Sequence, residues 1–145
     1  MYKVNVGKKI LSANEEYALK NSQLLTEQKK LCLNMISSPG SGKTTILART
    51  ISDLKDKIKI GVIEGDIQTE IDAERIRATK APAVQINTDG ACHLSAAQVS
   101  SALENLPISD LDLIFIENVG NLVCPSAFEL GETAKIAVLS VAEGD

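Results

Sequence analysis

Ser37-Ser38-Pro39-Gly40-Ser41-Gly42-Lys43-Thr44 follows the apolar run Leu31 to Ile36 and precedes a stretch where Ile46, Leu47, Ile51 and Leu54 recur at helical spacing. A strand, a glycine-rich turn and a helix in that order are the context in which such a tail is a P-loop. Gly40 and Gly42 let the backbone curl so that successive N–H groups point at phosphate. The helix that starts there adds the positive end of its dipole. Lys43 is a compact cation placed for the β- and γ-phosphates, and Thr44 offers a hydroxyl to Mg2+. Ser38, Pro39, Ser41 and Thr45 complete the expected cradle. Ser37 stands where G-x-x-x-x-G-K-[ST] has its first glycine, a departure that leaves the chemical tail of the motif intact. The bland alternative is a glycine-rich turn with a chance lysine, and the flanking patterns speak against it.

Four further apolar runs are Ile58 to Ile63, Ala83 to Ile86, Leu111 to Ile116 and Lys135 to Val141. The run from Leu111 is nearly continuous, as expected of a strand buried on both faces. Between the runs, Thr69-x-x-Asp72 reads as a capping box ahead of Ile76, and Ala96, Val99 and Leu103 form a helical stripe. Strands alternating with helices predict βαβ units. The expected fold is α/β, a P-loop NTPase three-layer sandwich with a mostly parallel sheet and helices on both faces. Ser12-x-x-Glu15 reads as the start of a polar helix to about Lys30, with a thin apolar face of Tyr17, Leu24 and Leu25. The expected organisation is therefore a helical extension over 1–30 and a P-loop domain over 31–145. The last strand pattern runs into Val141-Ala142-Glu143-Gly144-Asp145 without a closing helix, so this domain is expected to be incomplete at its C-terminus.

Composition narrows the class. The 145 residues suffice for one domain with a core, and 44% apolar against 23% charged is a globular balance. A net charge of -4 with dispersed lysines argues against nucleic acid as a partner, and 3% aromatics leave little for base stacking. No apolar run approaches the roughly 20 residues of a membrane helix, and Met1-Tyr2-Lys3-Val4-Asn5 opens no signal peptide. A cytoplasmic protein is expected, with no membrane association. Three cysteines do not suggest a disulfide framework.

Glu117 ends the fourth apolar run, where P-loop proteins keep an acidic residue for Mg2+. Glu117-Asn118-Val119-Gly120 has the acidic-x-x-Gly form of a nucleotide-sensing switch, in which Gly120 offers its N–H to a γ-phosphate. A strand-end carboxylate capping the next turn is the competing reading, and the P-loop decides against it. Asp66 ends the second run and is placed to hold a Mg2+-bound water or orient the attacking water. Asp72 reads equally well as a second such carboxylate or as a helix-start residue. Lys43, Asp66 and Glu117 are thus the candidate catalytic residues, with Thr44, Asp66 and Glu117 around Mg2+. Their chemistry is positioning and charge neutralisation. Arg75 and Arg77, the only clustered arginines, read as ordinary helix surface.

The single histidine, His93, adjoins Cys92 in a loop after the third run, and Cys124 lies just past the switch glycine. In a parallel sheet both loops emerge at the carboxyl edge of the strands, where ligands gather. Two thiolates and an imidazole suit Zn2+ or Ni2+. The spacing matches no zinc-finger rule, however, and a cysteine is commonly a small core hydrophobe. The core reading is the better one for Cys32, inside the first strand pattern.

Together these residues are similar to a known family. The chain resembles the HypB hydrogenase maturation GTPases over almost its whole length. The resemblance rests on Ser38 to Thr45, Gly65-Asp66 with Asp72-Ala73-Glu74-Arg75, Cys92-His93-Leu94, Phe115 to Pro125, and Glu143-Gly144-Asp145. It implies GTP hydrolysis, a homodimer, and nickel delivery to the [NiFe]-hydrogenase large-subunit precursor with a small HypA-like partner. It also implies a Ni2+ or Zn2+ site at the dimer interface, mapping onto Cys92, His93 and Cys124. The N-terminal cysteine-rich motif or histidine-rich tract of some relatives is absent from this sequence, and so is the guanine-reading Asn-Lys-x-Asp. GTP over ATP therefore rests on the resemblance alone. Two alternatives remain beside it: an ATP-dependent small-molecule kinase, and a non-enzymatic metal-bridged dimerisation module.

Overall fold

The computed structural model describes residues 6–65 and 69–141, with side chains from Ser12 onward. Alternation of strand and helix is realised as α1 (Val6–Glu27), β1 (Leu31–Ser37), α2 (Lys43–Leu54), β2 (Ile60–Glu64), α3 (Glu70–Ala78), β3 (Ala83–Gln85), α4 (Ala96–Glu104), β4 (Leu113–Glu117), α5 (Cys124–Ala127) and β5 (Ala134–Val138), with a 3-10 turn at Ile108–Asp110. The five strands form one sheet in the order β3-β2-β4-β1-β5, and every pairing is parallel. β4 is buried at every position. Its alternate residues feed opposite faces: Ile114 and Ile116 meet Leu103 and Leu25, while Leu113 and Phe115 meet Leu47 and Ile51. One cluster lies under α1 and α4, the other under α2 and α3. Each fully buried aliphatic side chain here contributes about 1.5–3 kcal/mol of burial free energy.

Strand order positions the site. β1 and β4 are neighbours, with Met35 opposite Glu117. The P-loop after β1 therefore opens beside the carboxylate that ends β4. Element limits differ slightly from the sequence pattern. Ile58 lies outside β2 because its N–H closes the end of α2 on Leu54 O (3.0 Å). β5 stops at Val138, short of Val141. On α2, Leu47 and Ile51 are fully buried, but Ile46 is 45% exposed. It sits about 100° around the helix from the Leu47 face.

α1 departs most from expectation. It runs through Ser12 from Val6, so Ser12 is an exposed interior residue and no N-cap. Tyr17 is exposed, and the buried face is Asn14, Ala18, Asn21 and Leu25. The two asparagines explain why so polar a helix docks. Asn14 Oδ1 accepts from Ala96 N (2.9 Å) at the start of α4 and its Nδ2 donates to Glu129 O (2.7 Å). Asn21 Nδ2 donates to Ala96 O and Leu130 O, at 2.9 and 3.0 Å. Each such bond contributes about 1 kcal/mol, and removing a partner leaves a buried group unsatisfied at greater cost.

Other local signals are realised directly. Thr69 caps α3, its hydroxyl accepting from Asp72 N (3.2 Å). α4 carries a full capping box, Ser95 with Gln98, and buries Ala96, Val99, Ala102 and Leu103. Cys32 is a core residue at 1% exposure. No helix among the described residues is long and apolar enough to cross a membrane.

Candidate functional site

Gly40 (φ 73°) and Gly42 (φ 91°) both adopt the left-handed conformation, and α2 starts directly at Lys43. That conformation is open to glycine at no steric cost and strained for other residues. The turn borders a cavity of about 240 Å3 lined by Gly40 to Thr45 and by Thr69, Asp72, Arg75 and Glu117. Ser38 and Pro39 are not among the residues that line it. Lys43 is buried, and its Nζ donates to Ser37 Oγ at 2.8 Å. The residue that replaces the first motif glycine thus steadies the lysine. Across the cavity, Thr44 Oγ1 donates to Glu117 Oε1 at 2.5 Å. Glu117 is fully buried, and its Oε2 has no hydrogen-bond partner among the described residues. An ionised carboxylate buried with an open oxygen is costly unless a cation compensates it. The hydroxyl and the open carboxylate oxygen are a hard donor pair that fits Mg2+.

Asp66 lies outside the described residues. Asp72 sits in the first turn of α3, its N–H serving the Thr69 cap as the helix-start reading expects, and it also lines the cavity. Arg75 and Arg77 separate. Arg77 pairs with Glu70 and Glu74 on the solvent side, as the surface reading expects. Arg75 is exposed as well, and it borders the cavity and donates to Thr45 Oγ1 at 2.8 Å, a contact the surface reading did not include. Helix spacing held the signal: Asp72 and Arg75 are three residues apart and share a face.

Gly120 packs on the other wall of the P-loop. A Cβ built there would lie 3.0 Å from Pro39 Cα, so only glycine gives this approach without displacing backbone. Asn121 forms an antiparallel bridge with Ser37, tying the segment after Gly120 to the P-loop entry.

The same segment then reaches a second cluster. Ligand atoms of Cys92, His93 and Cys124 all lie within 4.8 Å of one another. Donors around a bound Ni2+ or Zn2+ sit about 3–4 Å apart, so a small contraction closes the set. Cys92 Sγ is 3.6 Å from His93 Nδ1. The His93 ring stacks on Phe128, with centroids 3.9 Å apart and planes at 18°. Phe128, which the sequence pattern did not flag, therefore sets the imidazole plane. Partial burial pushes the His93 pKa down, favouring the neutral ring that ligates metals. A hydrogen bond with Cys92 holds the Cys124 thiol above its ordinary range, burial adding to it.

Comparison with known proteins places this arrangement. The profile of the CobW/HypB/UreG nucleotide-binding domain matches residues 32–142. The hydrogenase maturation factor HypB of Rhizobium leguminosarum bv. viciae is 56% identical over 142 residues, covering 98% of this chain and 48% of that protein. Among solved structures, HypB from Archaeoglobus fulgidus superimposes with a TM-score of 0.85 at 40% identity, covering 92% of this chain and 64% of the other. HypB from Helicobacter pylori in complex with nickel gives 0.81 at 43% identity, covering 90% and 62%. The chain spans about half the length of the curated relatives it matches, 48% and 47% for two of them. With the profile matched over residues 32–142, the chain belongs to the CobW/HypB/UreG family of nucleotide-binding domains.

Proposed function

We propose that this domain is the nucleotide-binding part of a GTP-hydrolysing nickel metallochaperone, which assists nickel insertion into [NiFe]-hydrogenase. One observation carries the reading: the segment that leaves Glu117 at the phosphate cavity ends at Cys124 in the metal cluster, seven residues later. A phosphate-reading device and a soft-ligand cluster share one stretch of chain.

In this reading Gly40 to Thr45 cradle the phosphates, and Lys43 neutralises their β/γ end. Thr44 and Glu117 hold Mg2+, with Asp66 as the further carboxylate. Bound nucleotide supplies the phosphoanhydride and Mg2+ the countercharge. The protein's own contribution is position and electrostatics, with no covalent intermediate. Gly120 offers its N–H to the terminal phosphate, and Arg75 adds a second cation at the cavity wall. Cys92, His93 and Cys124 take Ni2+ or Zn2+ as cargo, leaving a position open for water, a partner's donor or a second copy. Pairing of two copies across this cluster, handover from a HypA-like protein and delivery to the hydrogenase large-subunit precursor in the cytoplasm complete the reading.

The test is a titration of Ni2+ and Zn2+ with mass measurement, with and without Mg2+ and a non-hydrolysable GTP analogue. The expected result is stoichiometric binding that is lost in Cys92→Ala/Cys124→Ala and shifts the mass toward dimer. Equal weak binding by both proteins would sink the metallochaperone reading.

A further inference from the structure

Two asparagines connect the phosphate cavity to the metal cluster, and each is anchored at both ends. Asn118 follows Glu117 and is fully buried. Its backbone N–H donates to Met35 O (3.0 Å) on the strand that feeds the P-loop. Its side-chain Nδ2 donates to Asn34 Oδ1 at 3.2 Å. One atom, Asn118 Oδ1, then accepts two N–H groups: Val119 N at 2.8 Å and Leu94 N at 3.1 Å. Val119 leads to Gly120, and Leu94 directly follows the ligands Cys92 and His93. Asn121 repeats the plan on the other arm. Its backbone bridges Ser37. Its Oδ1 accepts Val123 N at 2.8 Å and Cys124 N at 3.3 Å.

We propose that Asn118 and Asn121 are positioning residues that transmit nucleotide state to the metal ligands, Asn118 to the Cys92–His93 arm and Asn121 to the Cys124 arm. The inference rests on the metallochaperone reading and adds the route. Asn118 Oδ1 spends one lone pair on each N–H, so both arms are tied to a single side chain, and a shift of Val119 N that draws the amide with it also alters the bond to Leu94 N. Shifting the Val119–Gly120 segment as a whole to bring Gly120 N–H to a terminal phosphate moves Val119 N against Asn118 Oδ1. The Leu94 N–H bond to that oxygen changes with it. Gly120 is pressed against Pro39, so such a shift is coupled to the P-loop wall. The same displacement reaches Asn121, one residue further on, and through its side chain the Cys124 amide. No ligand atom of the metal cluster is contributed by either asparagine, so removing their amides leaves the donor set whole.

The readout is the ratio of Ni2+ dissociation constants with GDP and with a non-hydrolysable GTP analogue, Mg2+ present throughout, measured on the 145-residue chain. Coupling of ordinary strength makes this ratio roughly 10-fold in the parent protein. Asn118→Ala and Asn121→Ala are each expected to bring it to within about 2-fold of unity. Ni2+ binding stays stoichiometric and nucleotide binding persists in both. Asn121→Asp keeps the accepting oxygen and is expected to restore the parent ratio, which a loss of general stability would not do. Asn121 lies in a half-buried loop, so its pair of variants decides the matter even if Asn118→Ala does not fold. Either alanine variant retaining the parent ratio would overturn the proposal, and so would failure of Asn121→Asp to rescue. Failure of the underlying reading looks different: a parent ratio of one, or Ni2+ binding that survives Cys92→Ala/Cys124→Ala.

Discussion

At the phosphate cavity the working side chains are buried and already bonded to one another: Lys43 is 3% exposed and Glu117 0%, with Ser37 and Thr44 as their partners. At the metal cluster Cys92 is exposed and His93 and Cys124 are half-buried. All three sit in loops or a single helical turn, steadied by a ring stack and a few backbone bonds. The first site grows from the ends of β1 and β4 at the middle of the sheet, so packing fixes it before any ligand arrives. The second hangs from loop and single-turn segments outside the sheet. A preorganised site binds strongly because little ordering remains to be done. A looser one has an affinity that neighbouring segments can tune. The contrast is what a device needs if one ligand is to set the affinity for another.

Three experiments break or sharpen this contrast. The largest effect is expected from Lys43→Ala, which removes the cation from the rigid site. Nucleotide affinity should fall on the order of 100- to 1000-fold, read by titration with a fluorescent GTP analogue. Ni2+ binding without nucleotide should stay unchanged. A parallel loss of Ni2+ binding would mean that the two sites share one fold-stability effect.

Next is the behaviour of the thiols, because the chain holds the same group in both settings. Burial, with Glu132 adding to it, pushes the Cys32 thiol from 9.0 up to about 12. The folded protein keeps a proton that the unfolded chain has released. Stability from this group is therefore complete below about pH 9 and is lost as pH rises toward 12. By pH 11 the loss should approach about 2 kcal/mol in denaturant melts. Cys32→Val should flatten most of that slope, and Cys124→Ala, which removes another thiol held above its ordinary range, should flatten it less. An unchanged slope in Cys32→Val would show that other groups drive alkaline unfolding.

The smallest effect belongs to Phe128→Ala. Removing the stacked ring frees His93 and should weaken Ni2+ binding about 5-fold, near 1 kcal/mol, in calorimetric titration. Nucleotide affinity should not move. A loss above about 100-fold would mean that the metal cluster is as rigid as the phosphate cavity.

Legibility in the sequence followed the same divide. Ser37 to Thr44 announces the phosphate cradle because its chemistry lies in contiguous residues between a strand and a helix. Glu117 was readable from its place at the end of a continuously apolar run. Arg75 is helix surface as read, but its bond to Thr45, a contact spanning thirty residues, was not legible locally. α1 was read in part: Leu25 is buried and Leu24 packs beside it as expected, but Tyr17 is exposed. Burial of this helix was sought in apolar residues, while Asn14 and Asn21 carry the docking through bonds to residues far along the chain. Cys92, His93 and Cys124 were visible as residues, but their spacing alone could not say that they meet.

What the sequence determined by itself is therefore the α/β architecture, the glycine-rich turn between β1 and α2, and the family. Each is written in local patterns: hydrophobic period, glycine placement and helix start signals act over a few residues. What only the tertiary structure decided is who faces whom. The order β3-β2-β4-β1-β5 sets Glu117 beside Thr44, and long-range packing brings Cys124 to Cys92 and Phe128 to His93. The same packing places two asparagine oxygens between the sites. Such contacts are fixed by the burial of both sheet faces at once, a condition on the whole chain that no short stretch of residues records.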